Sequence, residues 1–372
     1  MTALVRRWSP SDVVPVLAAA VLAVTWGLKV SVLVAVLIAL VLAAAVLAAV
    51  HHAEVVAHRV GEPFGSLVLA VAVTVIEVGL IVSLMVGGGP EAASLARDTV
   101  FAAAMITVNG IVGLSLLVGA IKHGLVSFNA EGSGAALATV ALLATLTLVI
   151  PAFTTSEPGP VFSGPQLAFA AVASLLLWAM FVLTQTVRHR DFFLPVSTAV
   201  APGPAAGRAE PEEEVHAAPP TARRALVSLG LLLVALVAVV GLAKVESPAI
   251  EAVVDAVGFP ASFVGVVIAL LVLMPETLAA VRAAARNRIQ ISLNLAFGSA
   301  IASIGLTIPT IAIASLWLPG RLVLGLDAAQ IALLAITVLV AALTVVPGRA
   351  TRLQGGVHLV LLAAFLFLAV KP

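Results

Sequence analysis

The chain has 372 residues, of which 62% are hydrophobic and 10% charged, and its net charge is +1. With so few charges there is no basic block for nucleic acid and no acid-seeking surface, and zero cysteines exclude disulfides, thiolate nucleophiles and Cys-rich metal sites. Runs of about 20 apolar residues, each long enough to cross a bilayer, recur along the chain, which makes it a polytopic membrane protein whose first partner is lipid.

Taken in chain order, the apolar runs predict eleven helices near residues 12–27, 30–50, 66–87, 99–121, 135–154, 165–187, 225–243, 259–281, 290–317, 328–346 and 356–370. Helix is the expected type because the runs are too long and too uniformly apolar for barrel strands, which alternate between lipid and lumen. The opening MTALVRRWSPSDVVPVLAAAVLAV has the look of a signal peptide, but no small-residue cleavage site follows, so it is expected to stay as the first span.

Placing Lys and Arg in alternating loops puts Arg6, Arg7, Arg59, Lys122, Arg188, Arg190, Arg208, Arg223, Arg224, Arg282, Arg286, Arg288, Arg349 and Arg352 on one side. Lys29, Arg97, Lys244, Arg321 and Lys371 fall on the other. Positive charge favours the cytoplasmic side, so the N-terminus is expected there and the C-terminus outside. Residues 195–224, rich in Pro, Ala and Glu and without an apolar face, read as a disordered linker whose Glu212, Glu213, Glu214 and His216 are solvated.

The linker divides the chain into an extra N-terminal helix (1–28), five helices (29–190), the acidic cytoplasmic linker (191–224) and five more helices (225–372). Two halves with an odd number of spans insert with opposite orientation, so the expected architecture is an all-α integral membrane protein built from two inverted five-helix repeats.

Two ionisable side chains stand well inside apolar stretches, Glu77 in VTVIEVGL of the third span and Glu276 in LLVLMPETLAAVR of the eighth. The next span in each half carries Asn followed four residues later by Gly, Asn109 with Gly113 and Asn294 with Gly298. Gly113 and Ala120 in one, and Gly298, Ala302 and Gly305 in the other, are expected to admit a neighbouring backbone, so that the Glu helices pack on the Asn helices. One such Glu alone can be a packing residue, and Glu276, six residues before Arg282, can snorkel; a matched pair points to function, since a charge at that depth costs about 2.5–3.5 kcal/mol on insertion scales. Buried Asn is also common helix–helix glue. Pro275 removes a backbone donor beside Glu276, so a bend or unwinding is expected there, with a freed carbonyl as a further oxygen.

Two carboxylates in a low dielectric resist being charged together, so an empty site should hold protons. A cation that displaces them must accept oxygen ligands, and Ca²⁺, which takes about 6–8 of them, suits two carboxylates, two amides, carbonyls and water. The expected cation- and proton-binding residues are therefore Glu77, Glu276, Asn109 and Asn294, with Glu77 and Glu276 on the metal. Thr74, Thr107, Ser299 and Ser303 are candidates for further oxygens, against their usual habit of bonding their own i−4 carbonyl. Alternating exposure of such a site turns mutual exclusion into exchange. The stretch HHAEVVAHRVGEP, with His51, His52, Glu54, His58 and Glu62, reads as a polar cytoplasmic loop or a pH-sensing mouth; it lacks His-Glu-x-x-His spacing, which argues against a zinc protease.

AEVVAHRVGEPFGSLVLAVAVTVIEVGLIVSLM, RDTVF, VVIALLVLMPETLAAVRAAARNRIQISLNLAFGSAIASIGLTIP and GRATRLQGGVHLVLLAAF resemble the bacterial calcium/proton antiporter family, also associated with sodium/proton and potassium/proton exchange, in the calcium/cation antiporter superfamily. The resemblance covers nearly the whole chain. It implies eleven helices in the inner membrane, two inverted repeats, Glu77 and Glu276 as the central pair, and Ca²⁺ and H⁺, with Na⁺ or K⁺ as alternatives, as transported ions without a cofactor. Many superfamily members have Gly-Asn-x-x-Glu at both carboxylates, where this chain has VTVI and VLMP before Glu. A channel or a non-transporting scaffold is the rival outside this class; an enzyme or ATP-driven pump lacks a nucleophile set and nucleotide-binding glycines.

Overall fold

The computed structural model describes residues 9–28, 31–61, 64–87, 93–196, 220–317 and 320–372. Among these residues the chain forms eleven helices: α1 (Pro10–Thr25), α2 (Val32–Val60), α3 (Phe64–Gly87), α4 (Leu95–His123), α5 (Ala130–Ala152), α6 (Gly164–Arg188), α7 (Ala222–Val257), α8 (Phe263–Ala285), α9 (Ile289–Ala314), α10 (Ala328–Val345) and α11 (Arg352–Val370). All but α1 are long and apolar enough to cross a membrane. Starts coincide with local signals: capping boxes pair Ser9 with Asp12, Ser163 with Gln166, Asp327 with Gln330 and Thr351 with Gln354.

Two helices overrun their expected ends. α2 continues through His51, His52, Glu54 and His58 to Val60, so that stretch is helix rather than loop; Glu62 lies outside the described residues. Nothing in HHAEVVAH breaks a helix, and the stop comes at Gly61, whose φ of 78° only glycine adopts freely. α7 likewise runs on past Lys244 and Pro248 to Gly258, in the left-handed region at φ 74°. At about 1.5 Å per residue its 36 residues exceed a hydrocarbon core of about 30 Å, so its end projects beyond the membrane. Most of the expected linker, residues 197–219, lies outside the described residues; its flanks are ordered as a turn at Arg190–Phe193 and as the first turn of α7.

The helix ends gather into two faces, tied by polar contacts. On one face a two-residue antiparallel pairing joins Val126–Ser127 to Arg349–Ala350, Arg352 Nε donates to Ala120 O, and Asn294 Nδ2 donates to Phe193 O. There too Asp12, 2% exposed, is ion-paired with Arg224 at 2.9 Å, and His52 Nε2 lies 2.8 Å from Ser11 O, so the first turn of α1 is fastened to both α7 and α2. On the opposite face Arg97 Nη1 donates to Gly325 O and Arg321 pairs with Glu157. The first face is the one expected to be rich in arginine.

Two apolar cores divide the bundle. One joins α4, α5, α6, α9, α10 and α11 with part of α8 around Phe101, Leu116, Leu143, Phe297 and Ile304. The other joins α1, α2, α3 and α7 with the opposite side of α8 around Ile38, Ile76, Leu80, Val239 and Val272. The Glu helices do pack on the Asn helices, α8 on α4 and both α3 and α8 on α9, but Gly113 and Gly305 serve other neighbours. A Cβ on Gly355 of α11 would lie 2.6 Å from Leu117 N and 2.9 Å from Gly113 O, so Gly113 admits α11, and Gly305 faces Trp178 of α6.

Candidate cation site

A cavity of about 170 Å³ opens where the two cores meet. Both central carboxylates line it: Glu77, mid-way along α3 and 3% exposed, and Glu276, mid-way along α8 and 8% exposed. Ser303 Oγ of α9 donates to Glu77 Oε1 at 2.6 Å. Glu276 Oε2 is buried without a hydrogen-bond partner. An unpaired buried carboxylate oxygen is costly.

α8 stays helical from Phe263 to Ala285, so the unwinding expected at Pro275 does not occur. Regular helix gives way instead to π-helical turns in α4 over Ile106–Ile111, in α5 over Thr145–Val149 and in α6 over Thr184–Arg188; the first bears on the expected site. This turn surrounds Asn109. Asn109 and Thr107 are absent from the cavity lining. Asn109 is fully buried among α4, α10 and α11: its Nδ2 donates to Thr337 Oγ1 at 2.9 Å, and its Oδ1 lies 3.2 Å from His358 Nδ1. His358 Nε2 is 3.2 Å from Thr344 Oγ1. Thr107 Oγ1 bonds the Ala103 and Ala104 carbonyls of its own helix.

Asn294 does line the cavity, but on the second turn of α9 rather than at Asn109's mid-helix depth. Its Oδ1 accepts from Gln290 Nε2 at 2.8 Å and its Nδ2 is held by Phe193 O, which leaves one carbonyl lone pair. Thr74, Ser299 and Ser303 all line the cavity. Gly298 also faces it: a Cβ there would meet nothing within 4 Å, so this glycine keeps the space open instead of admitting a helix. Sequence reading placed Glu54 in a loop, whereas on α2 it forms part of the cavity wall, as does Gln185 of α6. The clue was helical spacing: Val50 and Glu54 are four residues apart and share a face.

The burial gradient gives the cavity a direction. On α2 it passes from buried Val50 to exposed Glu54, and on α6 from buried Trp178 and Phe181 to half-exposed Gln185. On α8 it passes from Leu273 to Ala279 and on α9 from Ser303 to Asn294. Each progression leads to the face where α2, α6 and α8 end and α9 begins.

The profile of the sodium/calcium exchanger protein family matches residues 29–187 and 227–371. The chain belongs to this family. The exchanger is 44% identical over 322 residues to the putative ionic transporter y4hA of Sinorhizobium fredii, covering 87% of this chain and 84% of that one. It is 33% identical over 365 residues to the sodium-potassium/proton antiporter ChaA of Escherichia coli, covering 97% and 96%. Its fold is shared with native YfkE (TM-score 0.70, 16% identity, 97% of this chain and 100% of the other) and with the H⁺/Ca²⁺ exchanger CAX (0.69, 16%, 96% and 86%). The exchanger is therefore a multi-pass membrane transporter of the cation antiporter superfamily, as the residues around Glu77 and Glu276 led one to expect.

Proposed function

We propose that this exchanger is a secondary active antiporter that moves Ca²⁺ against H⁺, with Glu77 and Glu276 binding either two protons or one divalent cation. The observation that carries the reading is the buried, unpartnered Oε2 of Glu276 in the same cavity as Glu77. Two carboxylates stripped of water favour neutralisation, and a divalent cation neutralises both at once. Ser303, Ser299, Thr74 and the free lone pair of Asn294 supply neutral oxygens around them, while Asn109 and Thr107, with their polar atoms engaged elsewhere, hold the bundle together.

The cavity lining becomes more exposed toward the face where α2, α6 and α8 end, the direction expected of one end of an alternating-access cycle. On the charge bias of the loops that face is cytoplasmic, the N-terminus lies there, and the membrane is the bacterial inner membrane. We read α2–α6 and α7–α11 as two inverted repeats with α1 added, a reading supported by Glu77 lying on the second helix of the first set and Glu276 on the second helix of the other.

A second reading, exchange of Na⁺ or K⁺ for H⁺ at the same carboxylates, is favoured by the 33% identity to ChaA across almost the full length. Proteoliposomes loaded with a pH dye decide between them. Ca²⁺-triggered proton movement in excess of that with Na⁺ or K⁺ supports the first reading, and the reverse order supports the second.

A further inference from the structure

Among the described residues three ionisable side chains line the cavity, Glu54, Glu77 and Glu276, and no Lys, Arg or His joins them. Exposed Arg59, Arg188 and Arg282 stand at the ends of α2, α6 and α8, the helices that frame the opening, and exposed Asp191 and Glu131 lie on the same face. His58 is also exposed and His51 half-exposed on the last turns of α2.

Glu54 occupies the outer edge of that wall. It is one turn, about 6 Å along the axis, beyond Val50, the last buried residue that α2 contributes. Across the opening stand uncharged Gln185 of α6, Ala279 of α8 and Asn294 of α9. Inward of it the next carboxylate is Glu276, with its unpartnered Oε2. An exposed carboxylate binds a cation while the ion keeps most of its water, and two acids in series let oxygen replace water stepwise instead of all at once. Low-dielectric walls concentrate the field of such a group along the cavity axis.

We propose that Glu54 is the capturing carboxylate of the exchanger's mouth: it draws hydrated cations to the cavity, passes them to Glu276 and Glu77, and sets apparent affinity and divalent preference. The proposal rests on the exchange reading above. It makes Glu54 a transient contact of the transported ion and leaves the coupling to protons with the inner pair. Because the attraction scales with ionic charge, Ca²⁺ gains more from it than Na⁺ or K⁺.

The test measures initial rates of cation-driven proton movement in proteoliposomes over a range of Ca²⁺ and Na⁺ concentrations for wild type, Glu54→Gln and Glu54→Asp. Glu54→Gln should raise the half-saturating Ca²⁺ concentration by roughly tenfold at low ionic strength, with a smaller rise for Na⁺. The maximal rate should stay within about twofold, Glu54→Asp should restore most of the affinity, and the difference should shrink between about 0.01 M and 0.3 M salt as screening shortens the field. An unchanged half-saturation value, a fall in maximal rate alone, or a salt-independent rise would overturn the proposal. A folded wild-type protein that moves no protons with any of these cations would instead overturn the exchange reading, so the two failures are told apart.

Discussion

Ser303 Oγ of α9 donates a 2.6 Å hydrogen bond to Glu77 Oε1 of α3, joining the second half of the chain to the carboxylate of the first. A donor on a carboxylate favours its charged form, the form that holds a cation. Ser303→Ala therefore tilts the competition toward protons. Cation uptake rises with pH as protons leave the site, so in Ser303→Ala the pH of half-maximal uptake should move upward and the half-saturating cation concentration at fixed pH should rise by about 10- to 150-fold, matching about 1.5–3 kcal/mol for a hydrogen bond to a charged group. Transport assayed from about pH 6 to 9 measures both; a shift to lower pH contradicts the assignment.

Gly298 tests whether the cavity itself is the transport path. A side chain there meets open space, so Gly298→Leu should fold with near-normal thermal stability while filling the room beside Glu276 and stopping exchange. If Gly298→Leu melts like wild type and still exchanges at the wild-type rate, ions pass elsewhere.

Asn109 and His358 should behave as structural residues. Asn109 Oδ1 accepts from His358 Nδ1, which leaves Nε2 to accept from Thr344 Oγ1, and the group is sealed between α4, α10 and α11. His358→Phe strands the partners at a cost of about 1–3 kcal/mol. Its melting temperature in detergent should fall, as should that of Asn109→Ala, with half-saturating cation concentrations within about twofold of wild type. A large change in cation affinity with unchanged stability would return Asn109 to the set of ligands.

Asp12 and Arg224 fasten the extra helix to α7 through a pair that is 3% exposed on the Asp side and 30% on the Arg side. Removing the arginine leaves a buried carboxylate alone. Because water reaches part of Arg224, the cost is set at about 1–3 kcal/mol, below that of a fully buried pair. Arg224→Ala should lower thermal stability more than Asp12→Asn, and the double variant should lie near Asp12→Asn. Equal, additive losses would show that the contact is incidental.

The number of helices and the two central carboxylates were legible because each rests on a strong local rule: a run of about 20 apolar residues spans a bilayer, and an acid at its centre is rarely idle. The length of α2 was not, since polar residues at a membrane edge were taken as loop although HHAEVVAH contains no breaker before Gly61, and Glu54 was thereby missed as part of the cavity. Nor were the roles of the asparagines. Asn109 and Asn294 look alike in sequence, but the face on which each projects depends on helix rotation and on partners such as His358 and Gln290 that lie far away in the chain. Gly298 shows the same limit, because a glycine that faces empty space reads like one that receives a helix.

The most direct test of the central claim is proton movement driven by Ca²⁺, Na⁺ or K⁺ in sealed, acid-inside proteoliposomes carrying wild type, Glu77→Gln or Glu276→Gln, each shown to be folded. The account predicts cation-triggered alkalinisation by wild type and its loss in either variant. Exchange that survives both substitutions, or a folded wild-type protein that moves no protons with any of the three cations, would contradict it.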